Sequence, residues 1–116
     1  MPLIKLQTAQ PVSAEKQELL LTSASKIVAE ATGKPEAYVM AVLEPAAATT
    51  LGGNVAPAAF VDVRGIGGIN AGVNGAITKG ICELLEKQIA VAPDHVYLTF
   101  TDVPATNWGC NGRTFG

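Results

Sequence analysis

Residues Pro2–Leu6 and Ala59–Val63 share one apolar pattern, Val39 and Val96 sit in later apolar runs, and both pairs stand 57 positions apart. A repeat of that length, holding strand, helix and strand in each half, restricts the chain to a duplicated β-α-β design. In the first half, Met1–Gln7 sets Pro2, Ile4 and Leu6 against Leu3, Lys5 and Gln7, the period of a strand. Thr8–Val12, with Pro11 inside, reads as a loop. Ser13 can cap a helix whose stripe is Leu20, Ala24, Ile27, Val28 and Ala31, and Gly33, with Pro35 just beyond, ends it. Tyr38–Leu43 is almost wholly apolar and predicts a strand covered on both faces, and Pro45–Pro57 reads as a Gly- and Ala-rich loop.

The second half runs in the same order. Ala59–Val63 is a strand, Asn70 caps a helix with the stripe Val73, Ile77, Ile81, Leu84 and Leu85, and Val96–Phe100 is a strand. These units form an internal pseudo-repeat, 2–45 and 59–103, within one domain spanning 1–116. The expected class is α/β: a four-stranded mixed sheet with two helices on one face. Each helix has one apolar stripe, so the second face of the sheet lacks a partner within the chain and is expected to meet another subunit. The tail Trp108–Gly116 carries Trp108, Cys110, Arg113 and Phe115 and is expected to dock on a neighbour.

Composition agrees with association. At 48% hydrophobic and 16% charged, the chain has little charge to cover the large surface of a 116-residue monomer. A net charge of -2 supplies no field for a phosphate backbone, which argues against nucleic acid. Met1–Gln10 has no signal-peptide core and no apolar run reaches a membrane span, so a cytoplasmic location is expected. Cys82 and Cys110 lie far apart without companion histidines, which points to no metal site and no disulfide framework.

Gly65-Ile66-Gly67-Gly68-Ile69-Asn70 lies between a strand and a helix, where a phosphate cradle would lie. It has Asn70 where a dinucleotide fingerprint needs glycine, and it lacks the Gly-Lys-Ser/Thr ending of a Walker loop; a tight connection is the better reading. His95, the only histidine, reads as a solvated turn residue, and Glu83 and Glu86 as solvated helix charges.

Pro2 stands apart. A small residue after the initiator favours removal of Met1, which leaves a secondary amine at the start of an apolar strand. Low dielectric disfavours the cation and lowers an amine's pKa, which yields a neutral base near physiological pH. Proton abstraction beside a carbonyl requires such a base. With Met1 attached, the same nitrogen is an amide without a basic lone pair.

Pro2-Leu3-Ile4, Ala31-Thr32-Gly33-Lys34-Pro35, Ile66-Gly67, Pro93-Asp94-His95-Val96-Tyr97 and Thr114-Phe115 together resemble the macrophage migration inhibitory factor family of the tautomerase superfamily. The resemblance covers nearly the whole chain, with a small insertion near Val12–Lys16. It implies a homotrimer with active sites between subunits and keto-enol tautomerisation of phenylpyruvate-like 2-oxo acids, with no cofactor. Pro2 matches the catalytic proline, and Lys34 the lysine that holds the substrate carboxylate. Ile66 matches a pocket residue whose backbone amide also helps bind substrate. Tyr97 matches a tyrosine lent by the neighbouring subunit, and Phe115 an aromatic wall of the pocket.

The sequence departs from the mammalian members at Thr99, Trp108 and Cys110, which stand where those have asparagine, valine and tryptophan. Trp108 can fill the space of that tryptophan from two residues away, and Arg113 adds a cation that can reinforce carboxylate binding. Ala58–Val61 lacks the Cys-x-x-Cys pair of mammalian members. The resemblance leaves two alternatives: a dopachrome-type tautomerase, or a cytokine-like binding trimer with a vestigial pocket, although no receptor epitope is readable.

Overall fold

The repeat governs the architecture of the chain, whose computed structural model describes residues 1–116. Strand β1, Pro2–Thr8, leads to helix α1, Ala14–Thr32, and strand β2, Met40–Pro45; a two-residue hairpin, β3 Thr50–Leu51 and β4 Asn54–Val55, follows. Strand β5, Ala59–Gly65, helix α2, Ala71–Ile89, and strand β6, Val96–Asp102, complete the second unit, and a terminal hairpin pairs β7, Gly109–Cys110, with β8, Arg113–Thr114. β1 and β5, like α1 and α2, begin and end 57 residues apart.

The sheet order is β2-β1-β5-β6, with the two units joined antiparallel through β1 and β5 and with parallel pairs at both edges. The four-stranded mixed sheet is therefore as expected. Its core lies between the sheet and the helices: Ile4, Leu6, Val61 and Val63 meet Leu20, Ala24 and Val28 of α1 and Ile77, Ile81 and Leu85 of α2. The buried helix positions are again 57 apart, because the same stripe is used twice.

The helix ends follow local chemistry. Ser13 Oγ accepts from the Lys16 N–H at 3.4 Å, and Asn70 Oδ1 accepts from the Val73 N–H at 3.0 Å. Gly33 closes α1 at φ 69°, a left-handed conformation that glycine adopts without steric cost. Gly80 of α2 faces α1, and a Cβ built there lies 3.0 Å from Ile27 Cγ2; at Gly75 such an atom meets nothing. Gly75→Ala should therefore raise stability by about 0.5–1 kcal/mol through helix propensity. Gly80→Ala should lower it by about 1 kcal/mol because crowding outweighs that gain. Urea titration of the two variants checks the opposite signs.

Two expectations change, and the tail gains internal structure. The second strand begins at Met40 instead of Tyr38, which belongs to a 3-10 turn at Glu36–Tyr38, and it lies at the sheet edge with Met40 63% exposed instead of covered on both faces. An apolar run records only that a strand will be covered; within this chain α1 covers one face, where Ala41 and Leu43 pack against the core, and the face that carries Met40 stays open. The supposed loop Pro45–Pro57 contains the β3-β4 hairpin, turned by Gly52 and Gly53 at φ 60° and 80°. The tail is a hairpin of its own, turned by Asn111 and Gly112 at φ 53° and 79°.

The sheet face away from the helices is open but not purely apolar. Lys5 pairs with Glu44 at 3.1 Å and Arg64 with Asp62 at 2.8 Å, among Leu3, Met40, Phe60 and Tyr97. No helix is long and apolar enough to cross a membrane.

Candidate active site

Strand pairing builds the site from segments distant in sequence. Pro2 lies opposite Gly65, so the loop that follows Gly65 emerges beside the start of β1. Gly67 and Gly68 turn this loop at φ 68° and 73°. Two tethers hold it: Gly67 N–H donates to Asp102 Oδ1 at 2.9 Å, and Val103 N–H donates to the Gly65 carbonyl at 2.8 Å.

Lys34 arrives from the end of α1. Its Nζ donates to the Ile66 carbonyl at 2.7 Å and to the Gly67 carbonyl at 2.9 Å, which leaves one N–H free. Its stem fills the space that a Cβ on Gly68 would need, since such an atom would lie 3.1 Å from Lys34 Cε. The cation is thus locked to the loop beside Pro2. It does not cap the carbonyls of α1.

The amino group at the chain start feels this setting. Burial first, and then the charge of Lys34, push the Met1 amine below its ordinary value of 8.0. Both causes penalise the cation.

The predicted residues divide into three groups. Pro2, Lys34 and Ile66 come together. Trp108 stands at the same end of the sheet, lining a cleft of about 250 Å³ with Leu3, Arg64, Val103, Asn107 and Gly109. Phe115 is tied to Trp108, whose carbonyl accepts the Phe115 N–H at 3.1 Å, but the residue is 42% exposed; Arg113 lies exposed on β8. Tyr97 is remote: it pairs with Phe60, while the Pro2–Gly65 row ends on Asp102, five residues along β6. At about 3.3 Å per residue that separates Tyr97 from the row of Pro2 by roughly 17 Å.

Neither Pro2 nor Lys34 lines any of three cavities of about 430, 280 and 250 Å³. The largest of these three, about 430 Å³, lies at the far end of β1 among Thr8, Gln10, Leu21, Leu43 and Glu44. It contains no nucleophile or base beside an activating partner, so its size carries less weight than the chemistry at Pro2.

Elsewhere the reactive side chains have structural settings. His95 Nδ1 lies 2.9 Å from the Pro57 carbonyl, a contact that requires Nδ1 to carry the proton and ties its turn to the end of the β3-β4 segment. Burial first and then Glu86 push the Cys82 thiol up, away from the nucleophilic thiolate. No three His, Cys, Asp or Glu side chains converge in a metal-binding group. Sequence reasoning missed Asp102 and Arg64. Strand alternation could have placed Arg64 on the open face, but no local signal marks Asp102 as the loop's anchor.

A duplicated β-α-β sheet with a proline at the start of a central strand, beside a lysine-bound glycine loop, defines a tautomerase-type α/β protein. The family model described as "Macrophage migration inhibitory factor (MIF)" matches residues 1–116, and the chain belongs to that family, within the tautomerase superfamily. It is 34% identical over 115 residues to macrophage migration inhibitory factor of Meriones unguiculatus, covering 99% of both chains. The solved structure of the homologue from Prochlorococcus marinus is similar at a TM-score of 0.91 and 37% identity, over 98% of this chain and 99% of that one. The Toxoplasma gondii protein gives 0.95 and 32%, over 97% and 99%.

Proposed function

We propose that the protein is a keto-enol tautomerase of phenylpyruvate-like 2-oxo acids, with the amine of Pro2 as general base once Met1 is removed. The observation that carries this reading is the placing of residue 2 against the Lys34-bound loop, with the neighbouring Met1 amine pushed down by burial and then by Lys34. Neutral Pro2 takes a proton from the carbon next to the ketone. The C–H electron pair becomes the new C=C bond, and the carbonyl π pair moves to oxygen. The protonated proline then returns the proton to that oxygen, and the reverse sequence yields the ketone.

Lys34 keeps one N–H for the substrate's carboxylate, and its charge lowers the energy of the developing enolate. Ile66 forms the wall beside Pro2, and Trp108 and Phe115 receive the aromatic substituent. Arg113 adds positive charge at the mouth. Tyr97 reaches the site of a neighbouring subunit in a homotrimer, a reading supported by its roughly 17 Å separation from Pro2's row within one chain. The open sheet face and exposed edge strand β2 favour the same assembly.

The test is the pH profile of phenylpyruvate tautomerisation by protein shown by mass to start at Pro2. A base must be unprotonated to act, so kcat/KM should rise with pH through a pKa below that of an ordinary α-amino group and then level off. A rise centred above pH 8, or no turnover, defeats the assignment; the latter would leave the binding-trimer alternative.

A further inference from the structure

The two halves of the chain act as each other's control at the loop beside Pro2. In both, the loop that leaves the first strand is tied to the residue just past the last. Val103 N–H donates to the Gly65 carbonyl at 2.8 Å, and 57 positions earlier Ala46 N–H donates to the Thr8 carbonyl at 2.9 Å. This tether belongs to the duplicated fold. The next contact does not. In the first half the Gln10 N–H is met locally, by Thr8 Oγ1 at 3.1 Å, a neutral bond across two residues. The counterpart of Thr8 is Gly65, where a Cβ would lie 3.2 Å from the Gly67 carbonyl oxygen; a side chain there crowds the loop, and glycine has no acceptor to offer. Asp102 serves the Gly67 N–H instead, from β6, at 2.9 Å. In the first half Pro45 stands in the place of Asp102, and the buried Val91 continues the second helix where Lys34 follows the first. Both charged residues occur only in the corner that flanks Pro2.

Lys34 and Asp102 grip one peptide unit. The ammonium holds the Ile66 carbonyl at 2.7 Å and the carboxylate holds the Gly67 N–H, the two ends of the same plane. Each bond is charge-assisted and therefore stronger than a neutral one. Gly67 and Gly68 turn at φ 68° and 73°, and glycine passes between backbone regions at little steric cost, so a plane held at one end only is free to turn over. That turn would carry the Ile66 carbonyl away from Lys34 and release the ammonium from its place beside residue 2. Asp102 itself stands two strands from Pro2, in the row Pro2–Gly65–Asp102, so its effect passes through the loop.

We propose that Asp102 is a positioning residue of the tautomerase site. By holding the Gly67 N–H it fixes the Ile66–Gly67 peptide, and through that peptide's carbonyl it fixes the ammonium of Lys34 toward the substrate's carboxylate. This rests on the tautomerase reading and adds to it a residue that does not touch substrate.

Two variants of protein beginning at Pro2 test it. Asp102→Ala removes the acceptor, whereas Asp102→Asn keeps an acceptor oxygen and removes the charge. In the alanine protein kcat/KM for phenylpyruvate should fall about tenfold, mostly through KM, because the cation is displaced and the base is not. The asparagine protein should stay within about threefold of wild type, since a neutral acceptor keeps roughly half the bond. Asp102→Leu, which keeps bulk without an acceptor, takes the place of the alanine variant if that one does not fold. In a Lys34→Gln background Asp102→Ala should cost less than about twofold more, because its effect runs through Lys34. Exchange of the Gly67 amide, followed by NMR, should be about tenfold faster in the alanine protein and near wild type with asparagine.

A carboxylate acting only through its charge would repel an anionic substrate, so its removal would lower KM in both variants; that result overturns the proposal. So do losses that are fully additive with Lys34→Gln, and a Gly67 exchange rate unchanged by Asp102→Ala. Wild-type turnover that Asp102→Ala leaves intact defeats the role of Asp102 and spares the tautomerase reading. No wild-type turnover, with Gly67 exchange that quickens as expected, defeats the enzyme reading and leaves Asp102 as the residue that orders the loop.

Discussion

Protein that retains Met1 should convert phenylpyruvate about 10² to 10⁴ times more slowly than protein beginning at Pro2, the range a positioned general base contributes. The two forms differ by one residue at the end of β1, which is paired with β5 and β2 along its length, so fold and assembly should be the same. What changes is the nitrogen: in the longer form its lone pair is delocalised into a peptide bond and cannot take a proton. The amine of Met1 is no substitute, because it lies a residue away from the position that Pro2 holds opposite Gly65. Comparison of kcat/KM for samples whose masses are verified checks this. Equal rates would mean that the base lies elsewhere. Pro2→Gly, processed to a free amine, should fall between the two, since it keeps a basic nitrogen but loses the ring that fixes its direction.

The largest expected effect on stability comes from Leu20→Ala and Ile77→Ala. These residues occupy equivalent places in the two helices, and both are fully buried against the same sheet face. Each truncation removes several buried carbons and leaves a cavity that a rigid sheet cannot close, at a cost of about 2–5 kcal/mol. Urea unfolding at matched protein concentration reads the loss, with concentration held fixed because any assembly adds to apparent stability. A change under about 0.5 kcal/mol at either site would place that residue outside the core, in the range of surface substitutions.

Much of the fold is legible along the chain because its causes are local. The strand alternation at Pro2–Leu6, the caps Ser13 and Asn70, the stop at Gly33 and the two helix stripes all recur in the structure. Signals were also present where the reading fell short. Gly52-Gly53 and Asn111-Gly112 are turn pairs with left-handed backbone, yet no hairpin was read at either. The apolar run Tyr38–Leu43 was legible as strand but not as an edge, because the run records the need for cover and not its source.

The site was only partly legible. Pro2 was marked by its place after the initiator at the head of an apolar strand, Lys34 and Ile66 by resemblance, and the structure sets Pro2 opposite Gly65 beside the loop that Lys34 binds. Their contact arises from the antiparallel joining of β1 to β5 and from the reach of Lys34 across 32 residues to the Ile66 carbonyl. Asp102 escaped notice because its significance comes from a neighbour that shares no sequence segment with it: Gly67, in the loop after the strand it pairs with.

By itself the sequence determined the duplicated units, the helix limits and the face each helix buries, since hydrophobic period and capping act within a few residues. Tertiary structure alone decided which strands became neighbours and in which register, and therefore that a lysine after one helix and a loop before the other would flank the second residue. Register depends on how whole faces pack, a property summed over distant segments that no local pattern contains.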